Sequence, residues 1–390
     1  MKRKLAWGAL ALLVVAAIGV FGVAPGVVDR QMNQVDGGPL IPVSDEAKAL
    51  HASLDIVDLH SDSLMWRRDL IERHDFGHQD LPRMIEGNVA LQVFSSVTKS
   101  PAGLNYDNNS ADARDDITLL AVAQLQPLRT WTSLAERSLF HAAKLDRAVE
   151  RSESRLIKVT RPEELDGLLG TRAVGAMLSI EGLHDLEGRA ENLERLHAAG
   201  FRMAGLTHFF DNALAGSMHG EEKGGLSEFG RRIVRRMEDI GMIVDIAHCS
   251  RQCVADVLAM ARRPVVSSHG GAQATCDVNR NLTDEEIRGV ARTGGVVGIG
   301  YWDGAVCGTS PRAVAKAMKH VRDLVGIDHV ALGSDFDGSV VTRFDTAQLV
   351  QVTQALIDAG FTPDEIRAAM GGNALRVIRA GIVPLAGATS

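Results

Sequence analysis

The sequence predicts an α/β protein, a (β/α)8 TIM-type barrel preceded by an N-terminal membrane-anchor helix. Three observations lead there. Eight short Val- and Ile-rich runs alternate with longer amphipathic segments. Acidic or imidazole residues stand at the C-terminal ends of six of those runs. A long apolar stretch follows directly on the basic start Met1-Lys2-Arg3-Lys4.

The N-terminal stretch comes first. Leu5 to Val28 is almost wholly apolar, long enough to cross a bilayer core of roughly 30 Å and longer than a usual signal-peptide core. No small-x-small cleavage site follows it, Pro25 sits where a cut would fall, and no lipoprotein-type Cys comes after it. The expectation is an uncleaved anchor with Lys2, Arg3 and Lys4 cytoplasmic and the body exported to the periplasm or outside the cell. Secretion after signal cleavage is the second reading. Residues 1–28 are thus assigned to the anchor or signal, 29–50 to a polar linker containing Asp36-Gly37-Gly38-Pro39, and 51–390 to the barrel.

The runs are Asp55–Leu59, Val89–Val97, Ala173–Ile180, Met203–Thr207, Met242–Ala247, Pro264–Ser268, Gly295–Gly300 and Val330–Gly333. Helical patterns cover Ala111–Arg151, Asn192–Ala199, Ser227–Ile240, Arg251–Ala261, Thr283–Arg292 and Pro311–Val325. Capping boxes open at Thr283 and Thr362, each with a Glu three residues on. Strands alternating with helices imply a parallel sheet, and eight units suit a closed barrel of about 250 residues plus an insertion. A doubly wound open sheet is the runner-up, but no phosphate-loop fingerprint is present.

A net charge of -7 and a low aromatic content of 4% leave neither a basic field nor stacking platforms for nucleic acid. The four cysteines form no CxxC pair and allow at best one bridge, of unspecified partners.

In a barrel the C-terminal strand ends converge on one face, where active sites sit. Those ends carry His60 and Asp62, Glu181, His208, His248, His269 and Asp335. A single His at a strand end is most often structural. His51, His74, His78, His141, His197, His320 and His329 are read that way, His184 as a loop residue beside the site, and His219 is left open. Six strand ends with this chemistry are another matter. His60 and Asp62, two apart in extended chain, point to one side and suit one ion. Asp58 is either a carboxylate orienting His60 or a buried, satisfied acid. Glu181, with two oxygens, is the natural bridge between two ions. Imidazole and carboxylate without thiolate favour zinc or a similar divalent ion. With two such ions and a bridging hydroxide, the two carboxylates leave a net charge of about +1, suited to an anionic substrate. Cys249 follows His248 and is expected to face away from the ions.

These motifs are similar to those of the membrane (renal-type) dipeptidases, dinuclear zinc peptidases on a metal-dependent-hydrolase barrel. The resemblance runs from about Asp55 to Asn373. It rests on Asp58-Leu59-His60-Ser61-Asp62, Leu81-Pro82-Arg83, Glu181-Gly182, Gly205-Leu206-Thr207-His208, Asp245-Ile246-Ala247-His248, Ser268-His269, Arg280-Asn281 and Gly333-Ser334-Asp335-Phe336-Asp337-Gly338. It implies two Zn2+ per chain: His60 and Asp62 on one, His248 and His269 on the other, Glu181 and a water or hydroxide on both. It implies that His208 steadies the tetrahedral intermediate, Arg280 grips the substrate carboxylate, and Asp335 moves a proton to the leaving amine. Asp337 is read as a loop or capping residue. It also implies a dipeptide substrate, cleaved by the bridging hydroxide, and a homodimer. Gly216 precedes Ser217 where the family has an Asp, which puts side-chain preference in doubt, and Pro101–Arg151 has no matched counterpart. Two other readings stand beside this one: another dinuclear amidohydrolase or lactonase, and a non-catalytic binding barrel.

Overall fold

The protein is described here by a computed structural model covering residues 2–385. Eight parallel strands form its centre: Ile56–Ser61, Val89–Val97, Val174–Glu181, Phe201–Gly205, Ile243–Asp245, Val266–Ser267, Val296–Ile299 and Val330–Leu332. Each falls within one residue or two of an expected run. The sheet closes because the first strand pairs with the second, Asp58 opposite Gln92, and with the eighth, Asp58 opposite Leu332. The expected barrel is therefore the observed one. A short extra strand, Leu156–Lys158, pairs with the start of the third strand, and Phe201–Gly205 pairs with the same strand further along.

An apolar layer inside the sheet holds this frame. Val57, Leu91, Met177, Met203, Ile243, Val266, Val296 and Ala331 come one from each strand and belong to a single buried cluster. That cluster fills the barrel. Leu375 and Ile378 of the C-terminal helix Asn373–Gly381 join it, and Arg376 of that helix donates to the Gly294 and Asp328 carbonyls just before strands seven and eight. The helix thus plugs the base of the barrel, opposite the site. Both faces of every strand are buried, which is why the strands read as continuous apolar runs instead of alternating ones.

The helices follow the amphipathic stretches. Glu228–Ile240, Arg251–Met260 and Pro311–Val325 each open on a Ser whose hydroxyl accepts from the backbone three residues on. Both capping boxes form, at Thr283 with Glu286 and at Thr362 with Glu365. The expected Ala111–Arg151 helix is divided into Asp116–Ala123, Arg129–Thr132 and Leu134–Arg151, because Pro127 cannot continue a helix.

The N-terminal apolar helix spans Lys4–Met32, and an 18-residue window within it has a mean hydropathy of 2.5. The stretch 29–50 lies against the barrel. Gln34–Val35 pairs with Val341–Thr342. The Ser44 amide and hydroxyl both donate to Gln354, and Ser44 caps the helix Asp45–His51.

The bridge is Cys276–Cys307, 31 residues apart. It staples the loop after the sixth strand to the short helix after the seventh, a constraint typically worth about 2–4 kcal/mol. Cys249 is buried against Cys253, facing away from the site as expected.

His141, on the helix Leu134–Arg151, is buried with its Nδ1 2.8 Å from the Ser96 hydroxyl. Burial, helped by Lys144 and Arg137, pushes its pKa down to about 3. Burial likewise takes His51 down to about 4. The unfolded chain therefore binds more protons than the folded one below the ordinary value of 6.5. Stability is fully present above that value and falls as pH drops toward 3. Each imidazole contributes on the order of 1.4 kcal/mol per pH unit across its window. Thermal midpoints measured from pH 7 to pH 4.5 are expected to fall steeply in the wild type and less steeply in His141→Gln; equal slopes would refute the assignment.

Candidate active site at the barrel mouth

Every residue singled out at a strand end lies in one buried cup. His60, Asp62, Glu181, His248 and His269 are each no more than 5% exposed, and His208, Arg280 and Asp335 are buried beside them. The first strand delivers His60, and the chain then turns at Asp62. Glu181 is the last residue of the third strand. His248 and Asp335 have φ of 64° and 61°, a left-handed backbone rarely used by non-glycine residues and held at a cost of about 1–3 kcal/mol each. Packing must impose it. Gly338 lets the chain approach, since a Cβ there would sit 2.0 Å from Asp335 Oδ1.

The two oxygens of Glu181 face different partners. Oε1 lies 2.8 Å from His248 Nε2 and 3.2 Å from His269 Nε2. Oε2 lies 3.4 Å from His60 Nε2, which is itself 3.7 Å from Asp62 Oδ1. One carboxylate thus separates an imidazole pair from an imidazole–carboxylate pair. The His248 and His269 Nε2 atoms stand only 3.0 Å apart. Among the described residues, His60 Nε2, Asp62 Oδ1 and Glu181 Oε2 are buried without a hydrogen-bond partner. Buried polar atoms of this kind cost free energy unless something satisfies them. Cations would do so, and His60, Glu181 and His269, then Glu181, His208 and His248, then His60, Asp62 and Asp335 each bring donors close enough to share one.

The electrostatics set these groups apart. Burial first, then Arg280 for His248 and His60 for His269, holds both imidazoles well below their usual range, so they are neutral, the form that ligates metal. Burial opposes protonation of His60, but Glu181 and Asp62 outweigh it and raise its pKa. Burial pushes Asp335 well above the usual carboxylate range; His60 pulls against this, and Asp62 and Glu181 add to it.

Supporting groups set the rings. The Ser268 hydroxyl sits 2.8 Å from His269 Nδ1 and donates to Asp245 Oδ2 at 2.5 Å, a carboxylate–hydroxyl–imidazole chain. Asp58 does not reach the His60 ring. A register shift lies between Asp58 and Ser61, and Asp58 Oδ1 accepts instead from the His60 and Ser334 amides. The buried-acid reading is therefore the better one. Asp337, expected as a loop or capping residue, has a larger part. It is fully buried, accepts from Ser63 Oγ and the His78 amide, and pairs with Arg68 at 2.8 Å. His184 meets Thr98. His219 stacks on Phe209 at 4.5 Å, behind His248.

Beyond these groups a cavity of about 430 Å³ opens, with Arg280, Tyr106, Phe209, Trp302 and, from the N-terminal helix, Val28 and Met32 on its walls. Arg280 Nη2 donates to the His269 carbonyl at 2.9 Å, and its guanidinium lies over Trp302. Tyr106 accepts from Trp302 Nε1 at 2.9 Å. Sequence reasoning did not find Tyr106, which stands in the unmatched insertion, nor the helix residues. Gly216 has a steric cause: a Cβ would fall 2.3 Å from the Gly224 nitrogen. Ser217 then donates its hydroxyl to the His208 carbonyl.

Residues 44–382 match the family described as membrane dipeptidase, peptidase family M19. The chain belongs to that family. It is a metallo-dipeptidase, a metal-dependent hydrolase of dipeptides. Among its relatives, this dipeptidase is 28% identical over 349 residues to dipeptidase verJ of Clonostachys rogersoniana, covering 85% of this chain and 86% of that one. It is 37% identical over 215 residues to dipeptidase aclJ of Aspergillus oryzae (strain ATCC 42149 / RIB 40), a match spanning 53% of this chain and about half, 51%, of that protein. Solved structures share the fold. The probable dipeptidase PvdM of Pseudomonas aeruginosa superposes with a TM-score of 0.72 at 20% identity, covering 86% of this dipeptidase and 98% of that chain. A metallo peptidase of Rhodobacter sphaeroides, liganded with a phosphinate mimic of the dipeptide L-Ala-D-Ala, superposes at 0.70 and 22% identity, covering 84% and 99%.

Proposed function

We propose that this dipeptidase works with two zinc ions, His60 and Asp62 holding one, His248 and His269 the other, and Glu181 both. The observation that carries the reading is the split environment of Glu181, one oxygen toward each donor pair. When bound, the ions supply Lewis acidity and a water-derived nucleophile at neutral pH.

The protein's own groups do the rest. Arg280 offers a rigid guanidinium fork to the free carboxylate of the dipeptide, and its contact with the His269 carbonyl holds that fork beside the donor pairs. His208, with Nε2 3.5 Å from Glu181 Oε1, is placed to donate to the oxygen of the tetrahedral intermediate. Asp335 takes up the proton of the attacking water and returns it to the leaving amine. The phosphinate mimic of the dipeptide L-Ala-D-Ala bound by the Rhodobacter sphaeroides peptidase supports a dipeptide as the substrate here.

The N-terminal stretch 1–28, within the apolar helix, is read as a retained membrane anchor with residues 51–390 as the exported barrel domain, and the enzyme as a homodimer. The Cys276–Cys307 bridge supports an oxidising compartment. Purified full-length protein is expected to contain two zinc ions per chain and to cleave Leu-Leu and Gly-D-Ala, with a chelator abolishing turnover. Zinc-loaded protein that spares a broad dipeptide panel but opens lactones would replace this reading with the lactonase one.

Arg280→Ala is expected to raise KM for dipeptides by about 10²–10³-fold, the loss of a charge-assisted bidentate contact, and to spare C-terminally amidated substrates. Equal losses on both would contradict the assigned role.

A further inference from the structure

The helix that carries the apolar N-terminus does not stop at a tether. Its last turns, Ala24–Met32, run on from the apolar segment and dock on the barrel. Pro25, Asp29 and Asn33 recur every four residues and are all buried, so one face of the helix is committed to packing. Asp29 pairs with Arg68 at 2.7 Å, with side chains 2% and 7% exposed. Arg68 in turn pairs with Asp337 at 2.8 Å. Asn33 accepts from the Ser339 amide at 2.9 Å. Both links end on the segment from Asp335 to Ser339, beside the reacting groups. Buried ion pairs of this kind hold a geometry, since breaking one leaves an unpaired charge.

With that face fixed, Val28 and Met32, one helical turn apart, are turned to the cavity that also holds Asp62, Glu181, His248 and Arg280. They are 38% and 43% exposed, so their apolar surface is not consumed by packing. Across from them stand Leu104, Ile117 and Leu120 of the insertion. The cavity thus joins the polar groups of the site to an apolar lining supplied by the helix and the insertion.

We infer that the helix Ala24–Met32 is a wall of the substrate cavity, and that Val28 and Met32 set a preference for dipeptides with large apolar side chains. The inference rests on the dipeptidase reading and adds specificity residues to it. Desolvating a Leu-sized side chain against Val28 and Met32 favours the transition state of such substrates over that of glycine-containing ones.

The test uses full-length, zinc-loaded enzyme in detergent. The ratio of kcat/KM for Leu-Leu to that for Gly-Gly is measured for wild type, for Met32→Ala, and for the double variant Val28→Ser, Met32→Ser. Both substrates are assayed on one preparation, so any inactive fraction cancels from the ratio. The ratio is expected to fall about tenfold in the double variant and by less in Met32→Ala, which keeps a good helix former. An unchanged ratio in Met32→Ala and the double variant overturns the inference while leaving the dipeptidase reading intact. A wild type that cleaves neither dipeptide overturns that reading instead.

Discussion

Asp335→Asn is expected to lower kcat by about 10²–10⁴-fold, the usual contribution of a positioned acid–base group, with zinc content unchanged. The amide is nearly isosteric and can still accept hydrogen bonds, but it cannot shuttle a proton. Asp335 Oδ1 is 3.9 Å from His60 Nε2, so zinc content is read together with turnover to separate proton transfer from ligation. KM should change little, since Arg280 holds the substrate. Metal analysis alongside steady-state kinetics reads both quantities. Loss of an ion from the variant would make Asp335 a ligand and void the assigned role.

Glu181→Ala is expected to act more broadly, removing both ions together and lowering kcat/KM by more than about 10³-fold. No other carboxylate is shared by the two donor pairs among the described residues: Asp62 approaches His60 alone, and the His248–His269 pair meets only Glu181. Removing one carboxylate therefore strips a ligand from each ion. By contrast, Asp62→Ala should weaken one ion and spare the other. Zinc stoichiometry across the two variants distinguishes them; a Glu181→Ala protein that retains two ions would dismantle the bridging assignment.

The barrel was legible because a strand buried on both faces has to be written in Val, Ile and Leu, and eight such runs stand out between amphipathic helices. The metal-ligating candidates were legible because topology converts a local property, the last residue of a run, into a shared location. What escaped depended on distant pairings. Asp337 reads as one more loop acid until Arg68, His78 and Ser63 are brought around it. Asp58 was expected on the same side as His60 by simple alternation, and a register shift in the first strand breaks that alternation. The Cys276–Cys307 pairing depends on two loops meeting above the barrel, which spacing does not encode. Hydropathy marked the N-terminal helix, but a mean value says nothing about which face carries Pro25, Asp29 and Asn33.

The Asp29–Arg68–Asp337 chain gives the apolar N-terminus a mechanical meaning. A catalytic body on a slack leash samples every orientation; one bolted through buried charges keeps a single tilt. If the apolar part of the helix before Ala24 sits in a bilayer, the entrance to the cup is held close to the headgroups at constant attitude. Peptides then reach it through the thin ionic layer at the lipid surface, where anionic lipids deplete negatively charged solutes and enrich cationic ones. Turnover in vesicles would accordingly depend on lipid charge and salt in ways that detergent-solubilised enzyme does not.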